Sequence, residues 1–165
     1  MSTNINKTDD PGRKILAVGS VAFDSIKTPS GTADRILGGS ANYFSVCASL
    51  FTNLNLVGVV GKDFPKEHLD VLRKRGINLD GLEIADGETF HWVGEYGTDL
   101  NEAKTISTCL NVFATFNPTL PEAYKDTRYL FLANIDPDIQ RKVYSQVKKP
   151  ALVAADSMNF WITGK

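Results

Sequence analysis

Metal and disulfide chemistry have little to work with here: the 165 residues include only two Cys and two His. Cys47 and Cys109 cannot form a disulfide framework, and they lack metal-ligand spacing. With only His68 and His91 beside them, a Cys/His zinc site is not expected. An excess of charge is also lacking, since 18 Lys and Arg against 19 Asp and Glu leave a net charge of −1. That balance argues against bulk electrostatic binding to nucleic acid or to an anionic membrane. No apolar run approaches the roughly 18–20 residues of a membrane span. Residues Met1 to Arg13 are polar, with Asp9, Asp10, Pro11 and Gly12, and have no apolar core of a secretory signal. They read as a flexible tail (1–13), and a cytoplasmic, reducing location is the expectation. What is present is globular in composition, 42% hydrophobic and 22% charged, at a length that suits one domain.

The apolar segments set the architecture. Ile15-Leu16-Ala17-Val18 carries no charge and ends at Gly19-Ser20, which suits a strand buried on both faces. Asp24 to Arg35 is polar, with Pro29 and Gly31 as breakers, and reads as a turn-rich stretch. Gly38-Gly39-Ser40 leads into a run from Ala41 to Phe51 that is apolar nearly all round. The pattern predicts a buried helix with Ser40 as N-cap. Leu54 to Val60 predicts a second strand. Asp63 is expected to cap a helix that holds Pro65 early, Leu69 and Leu72 on one face, and Gly76 as its stop. Strand, helix, strand, helix argues for a parallel α/β layer.

The middle of the chain differs. Asp86-Gly87 is a hairpin-type turn signal. Phe90 to Tyr96 and Thr105 to Phe113 then alternate around polar Gly97 to Lys104, as an antiparallel pair with one wet face would. The α/β pattern resumes with a strand at Tyr129 to Ala133. A helix opened by Asp136-Pro137 follows, then a strand at Ala151 to Ala155. No covering crossover helix is expected in the nine residues after Asp156, so the layer reads as cut short.

Open parallel sheets bind ligands beyond the carboxyl ends of their strands. Asp24, Asn134 and Asp156 fall there. Each is read either as a ligand contact or as a residue serving a loop, turn or cap. Gly38-Gly39-Ser40-Ala41-Asn42 says more: two glycines admit a ligand close to the backbone, and a helix N-terminus stands behind them. Asn42 can both donate and accept, which suits a polyhydroxylated ligand; the alternative is an ordinary strand-to-helix turn. Other motifs fail. Gly58-Val59-Val60-Gly61-Lys62-Asp63 is too short between its glycines for a Walker loop, and Asp stands where Ser or Thr should follow the Lys. His68 reads as solvated, and His91 has no Ser or Cys partner at a nucleophile motif. Trp92, Tyr96 and Trp161 read as packing residues, since no basic groove surrounds them.

Gly19-Ser20, Asp24, Leu37-Gly38-Gly39-Ser40-Ala41-Asn42 and Val57-Gly58-Val59-Val60-Gly61-Lys62-Asp63-Phe64, in that order, resemble the N-terminal half of the ribokinase-like (PfkB) carbohydrate kinases. Asp156-Ser157-Met158-Asn159-Phe160-Trp161 resembles a later family segment. The resemblance runs from about Lys14 to Lys165. It implies a ribokinase-like three-layer α/β sandwich with a mostly parallel sheet and a small antiparallel β-lid, about 86–115 forming part of the lid and the C-terminal part of the fold missing. It implies that Asp24, the Gly38-Gly39 backbone and Asn42 hold acceptor hydroxyls, that Asn134 contacts substrate, and that Phe90 and Asn111 close over it. The acceptor would be a sugar, with a nucleoside ranked second and Phe23, Phe90 and Trp92 free to stack on a base. ATP and Mg2+ are implied as cofactors. The family's Asn-x-x-Glu element and Gly-Ala-Gly-Asp loop, which carries the catalytic base, do not occur in this sequence, so no catalytic residue and no metal ligand is assigned here. The implied partners are the small-molecule acceptor, a C-terminal kinase fragment, or a second copy bound through the lid or sheet edge. A non-catalytic sugar-binding or dimerisation module is the alternative. Four positions depart from the family pattern: Ala22 replaces Asn, Ser40 and Phe44 replace small residues, and Asn134 replaces Glu.

Overall fold

The computed structural model describes residues 14–165, so the tail expected at 1–13 lies outside the described residues. In chain order the elements are β1 (Ile15–Val18), β2 (Ala22–Thr28), β3 (Gly31–Gly38), α1 (Ser40–Ala48), β4 (Leu54–Gly61), α2 (Lys66–Lys74) and β5 (Ile77–Ala85). There follow β6 (His91–Tyr96), β7 (Ala103–Cys109), β8 (Tyr129–Leu132), α3 (Pro137–Tyr144), β9 (Leu152–Ala155) and α4 (Asn159–Gly164).

Five strands form a parallel sheet in the order β5-β4-β1-β8-β9. The uncharged runs lie at its centre because each residue, whichever way it points, meets a covered face. Leu16, Val18, Val57, Val59, Leu130 and Leu132 point to one face, where Phe116, Leu120, Tyr124, Val143 and Val147 cover them. Ala17, Leu54, Leu56, Val60 and Ala133 point to the other, under Ala41, Leu69 and Leu72 of α1 and α2. These are the expected three layers. Gly76 ends α2 with a φ of 79°, a left-handed position that suits Gly.

A second sheet has the order β3-β2-β6-β7. β2–β3 and β6–β7 are antiparallel, and β2–β6 between them is parallel. The β6–β7 pair is the one expected from alternation, although residues Asn111–Thr115 turn into a 3-10 helix.

Several expectations need correction. The stretch read as turns from Asp24 to Arg35 is β2 and β3. Polar residues are tolerated there because the strands pass from a buried end at Ala22–Asp24 to an exposed one. Ile77 to Ala85 is an edge strand whose polar residues hid it. Asp86-Gly87 does not close a hairpin: β5 pairs in parallel with β4, and the chain leaves for the second sheet after Ala85. Helix α1 ends at Ala48, and Tyr43, Leu50 and Phe51 are exposed, so only one side of it is buried. Ser40 is not its N-cap; Gly39 is, with a φ of 95°. A short helix, α4, follows β9, but none of its residues is buried, so it is not a covering helix. His68 is not fully solvated, because its ring packs 5.5 Å from that of Phe64.

Candidate functional site

The order of strands places the site. From β1 the chain moves outward to β4 and β5, then returns to the other side of β1 for β8 and β9. The carboxyl ends of β1 and β8 therefore flank a topological switch point, where loops diverge and leave a crevice. Gly19-Ser20 leaves β1 there, Asn134 follows β8, and the N-terminus of α1 packs against both. Ser40 Oγ lies 3.0 Å from Ser20 Oγ and donates to the Asn134 carbonyl at 3.4 Å. The amides of Ser40 and Ala41 donate to Ser20 Oγ and Ser20 O at 3.0 and 3.1 Å. Ser20 thus does the capping that Ser40 was expected to do. The Ser40 hydroxyl, at a position that departs from the family pattern, makes its own bonds to this cluster. Phe44, the other bulky replacement on α1, stacks on Phe131 at 3.7 Å.

Asp24 is brought to the same place by β2. Its carboxylate accepts from the Tyr43 hydroxyl at 3.0 Å and from the Gly39 amide. Burial pushes the Asp24 carboxyl above its ordinary value of 3.8, against the opposing pulls of Tyr43, the Gly39 amide and the nearby His91 charge. Burial and then the Asp24 charge push the Tyr43 phenol up to about 12. The two glycines have separate reasons. A Cβ on Gly38 would lie 2.3 Å from Asp24 Cγ. A Cβ on Gly39 would lie 2.4 Å from the Ser20 carbonyl oxygen, on a backbone already left-handed. So the glycine pair makes room for Asp24 and for Ser20.

Asn42 is 2% exposed. Its Oδ1, and that of Asn134, are buried and accept no hydrogen bond from the described residues. Buried polar atoms in native folds almost always have a partner. Asp24, Gly38, Gly39, Asn42 and Asn134 thus gather at one end of the main sheet. Phe90 and Asn111, the expected lid contacts, flank strands β6 and β7 of the second sheet. The Phe90 carbonyl accepts from the Phe23 amide at 2.8 Å while its ring stacks on Phe113 at 5.4 Å. Asn111 is exposed and donates through Nδ2 to the Thr89 carbonyl at 2.9 Å. Asp156 is exposed, its amide bonded to Leu132 O at 2.8 Å.

Three groups of residues escaped sequence reasoning. Tyr43 adjoins Asn42, yet only the fold shows it reaching Asp24. Asp63 does not cap α2, where Pro65 is the N-cap. Its Oδ1 accepts from the Thr89 amide and hydroxyl at 2.8 and 2.7 Å, and its Oδ2 accepts from Arg35 at 2.7 Å. The Thr89 hydroxyl in turn accepts from the Gly61 amide at 2.9 Å. Asp63 therefore ties the end of β4 in the main sheet to Arg35 of β3 and to Thr89 just before β6. Finally, His91 does have a serine partner: Ser25 Oγ lies 2.8 Å from its Nε2. No signal in the sequence pairs residues 66 apart.

No protein-family model matches the chain. A cytidine kinase of Thermococcus kodakarensis is 27% identical over 135 residues, which cover 81% of this chain and 48% of that kinase. The nucleoside kinase of Methanocaldococcus jannaschii, an archaeal member of the ribokinase family, matches with a TM-score of 0.65 at 24% identity. That match covers 87% of this chain and 52% of the kinase. This chain has a ribokinase-like fold. Ribokinase from Cryptococcus neoformans, solved with ADP, matches with a TM-score of 0.66 at 19% identity, over 87% of this chain and 50% of its own. The ribokinase-like chain spans about half the length of these relatives. Among its described residues no helix is long and apolar enough to cross a membrane. Nor is any group of three or more His, Cys, Asp and Glu among them placed to hold a metal ion.

Proposed function

We propose that this chain binds the acceptor of an ATP-dependent phosphotransferase, holding the vicinal hydroxyls of a sugar ring at the β1–β8 switch point. The observation that carries this is the set of buried acceptors. Asn42 Oδ1 and Asn134 Oδ1 have no donor within the described residues, and the buried Asp24 carboxylate stands across the Gly38–Gly39 turn. Acceptors in such surroundings favour a ligand that brings hydroxyl protons, and a carboxylate bonds a hydroxyl more strongly than a neutral acceptor does. In this reading Asp24 and Asn42 orient the ring and Asn134 takes a further hydroxyl. The second sheet, with Phe90 just before β6 and Asn111 just after β7, acts as the lid.

A second reading concerns the acceptor. A free sugar was the first expectation, but the cytidine kinase and nucleoside kinase similarities favour a ribosyl unit attached to a base. The similarity to a ribokinase solved with ADP supports an adenine nucleotide as donor. The described residues do not fit Mg2+, having no acidic cluster, so no phosphoryl-transfer step is assigned to them. The matching relatives are about twice as long, and β9 lies open at the sheet edge with all four residues exposed. That edge suits a further strand and helix, joined to this chain or supplied by another.

Titration calorimetry of the chain with cytidine and with D-ribose tests both readings. Binding of either that disappears in Asp24→Ala supports the site, and the preferred ligand decides the acceptor. Unchanged affinity in Asp24→Ala removes the assignment.

A further inference from the structure

From the geometry around Ser25 we infer that Ser25, Asp34 and His91 form a positioning device that holds Asp24 in place. The inference rests on the reading of Asp24 as an acceptor-binding group. It starts from the pairing of β2 with β3. Asp24 pairs with Ile36, and Ile26 pairs with Ala33. Asp34 and Arg35 therefore stand opposite Ser25 alone, which is a β-bulge. Arg35 takes the strain, with a φ of 47° in a non-glycine residue. The extra residue decides the site. Without it Asp24 would face Arg35 in place of Ile36, and Gly38 would move one position along the strand. A one-residue slip also turns side chains to the opposite face of the sheet. The Asp24 carboxylate would then no longer lie over the one position that has no Cβ to exclude it.

Such a bulge leaves backbone groups out of the ladder, and Ser25 deals with one of them. Its Oγ accepts from the Arg35 amide at 3.0 Å. It lies 2.5 Å from Asp34 Oδ1, the length of a hydroxyl donating to a carboxylate. A hydroxyl has one proton and two lone pairs. The proton goes to Asp34 and one lone pair takes the Arg35 amide. His91 Nε2, at 2.8 Å, must then be protonated and donate to the second lone pair. The hydroxyl is saturated, and it ties three neighbouring strands together: β3 through Asp34 and Arg35, β2 through itself, and β6 through His91. Its proton is committed to Asp34, and Asp34 contacts Ser25 and not the imidazole. This constellation is therefore no nucleophile and base, despite containing Ser, His and Asp. The Arg35 side chain extends the device, since its guanidinium bonds Asp63 and lies 4.2 Å from the Phe23 ring centroid. Besides its own Asp34 and His91, the charged or titratable groups around the device are Asp24, Arg35, Tyr43 and Asp63.

The test uses the whole chain and the variants Ser25→Ala, Ser25→Thr, Asp34→Ala and Asp34→Asn. The Asp24 carboxyl is titrated by 13C NMR, and cytidine affinity is measured by calorimetry. Ser25→Ala and Asp34→Ala are expected to move the Asp24 midpoint down towards 3.8, as the carboxylate escapes its buried place. They should also weaken cytidine binding by about tenfold, the equivalent of one hydrogen bond's net contribution. Ser25→Thr and Asp34→Asn keep the donor and the acceptor and should restore both readouts. In the wild type, 15N shifts should show His91 protonated at Nε2. An Asp24 midpoint unmoved in both alanine variants overturns the inference, as does an Nδ1-protonated neutral His91. If wild-type chain binds no cytidine, the acceptor reading falls, and the titration still decides whether the device positions Asp24.

Discussion

Gly38→Ala should separate ligand binding from folding, whereas its neighbour Gly39→Ala should not. At Gly38 the new Cβ would meet Asp24 Cγ at 2.3 Å and the two carboxylate oxygens at 2.4 and 2.5 Å. Those atoms are the end of a short side chain, so the clash is relieved when Asp24 swings away. The Tyr43 hydroxyl and the Gly39 amide then lose their acceptor. Hydrogen bonds to a charged group are worth about 1.5–3 kcal/mol each. Most of that returns when the carboxylate reaches water, and replacing Gly by Ala also restricts the unfolded chain by about 0.4–1 kcal/mol. The melting temperature should therefore change little. Affinity should not survive so well: losing one charge-assisted bond to a ligand hydroxyl, about 1.5–3 kcal/mol, weakens binding roughly 10- to 150-fold. At Gly39 the obstacles are Ser20 O at 2.4 Å and Ser20 C at 2.8 Å, both backbone, at a φ of 95°. Nothing can swing away, so Gly39→Ala should lower the melting temperature sharply. Calorimetric titration with cytidine, paired with thermal melts of both variants, makes the comparison. A Gly38→Ala chain that binds like wild type would refute the placement of Asp24 in the site.

Two further outcomes follow from the same contacts. Burial alone would raise the Asp63 carboxyl, but the Thr89 hydroxyl and amide and Arg35 outweigh it and hold the group below its ordinary 3.8. A depressed folded value means its stabilisation is present above the unfolded value and is lost as pH falls through the folded one. Asp63→Asn should thus destabilise the chain by about 1–3 kcal/mol at pH 7. The gap between urea melts of wild type and variant should begin to narrow as pH falls below 3.8 and close only once pH has passed the lower folded value; a gap that does not narrow with acid counts against the carboxylate's role. Leu152 and Phe51 are exposed and line an open apolar groove with Phe44 and Phe131 beside β9. Exposed apolar patches and bare sheet edges favour association. Leu152→Lys should lower the concentration dependence of the sedimentation coefficient, and an unchanged profile would place any association elsewhere.

The central strands were legible because Ile15–Val18, Leu54–Val60 and Tyr129–Leu132 are uncharged over their length. Only a sheet covered on both faces accommodates such runs. The Gly38-Gly39-Ser40-Ala41-Asn42 segment was legible too, since paired glycines before an apolar helix leave few alternatives. The Asp136-Pro137 helix start was legible as well: Asp136 is the N-cap and accepts from the Asp138 amide. Strands β2, β3 and β5 were hidden because they are partly exposed and carry polar residues, so their periodicity is diluted. The sequence by itself determined the parallel layer, the identity of Asp24, Asn42 and Asn134 as candidates, and the glycine turn between them. Tertiary structure alone decided what surrounds them: Tyr43 on Asp24, Ser20 capping α1, Asp63 joining the sheets, and the Ser25 bulge. These are contacts between residues 9 to 66 positions apart. Local propensity and spacing do not encode them; strand order and register do.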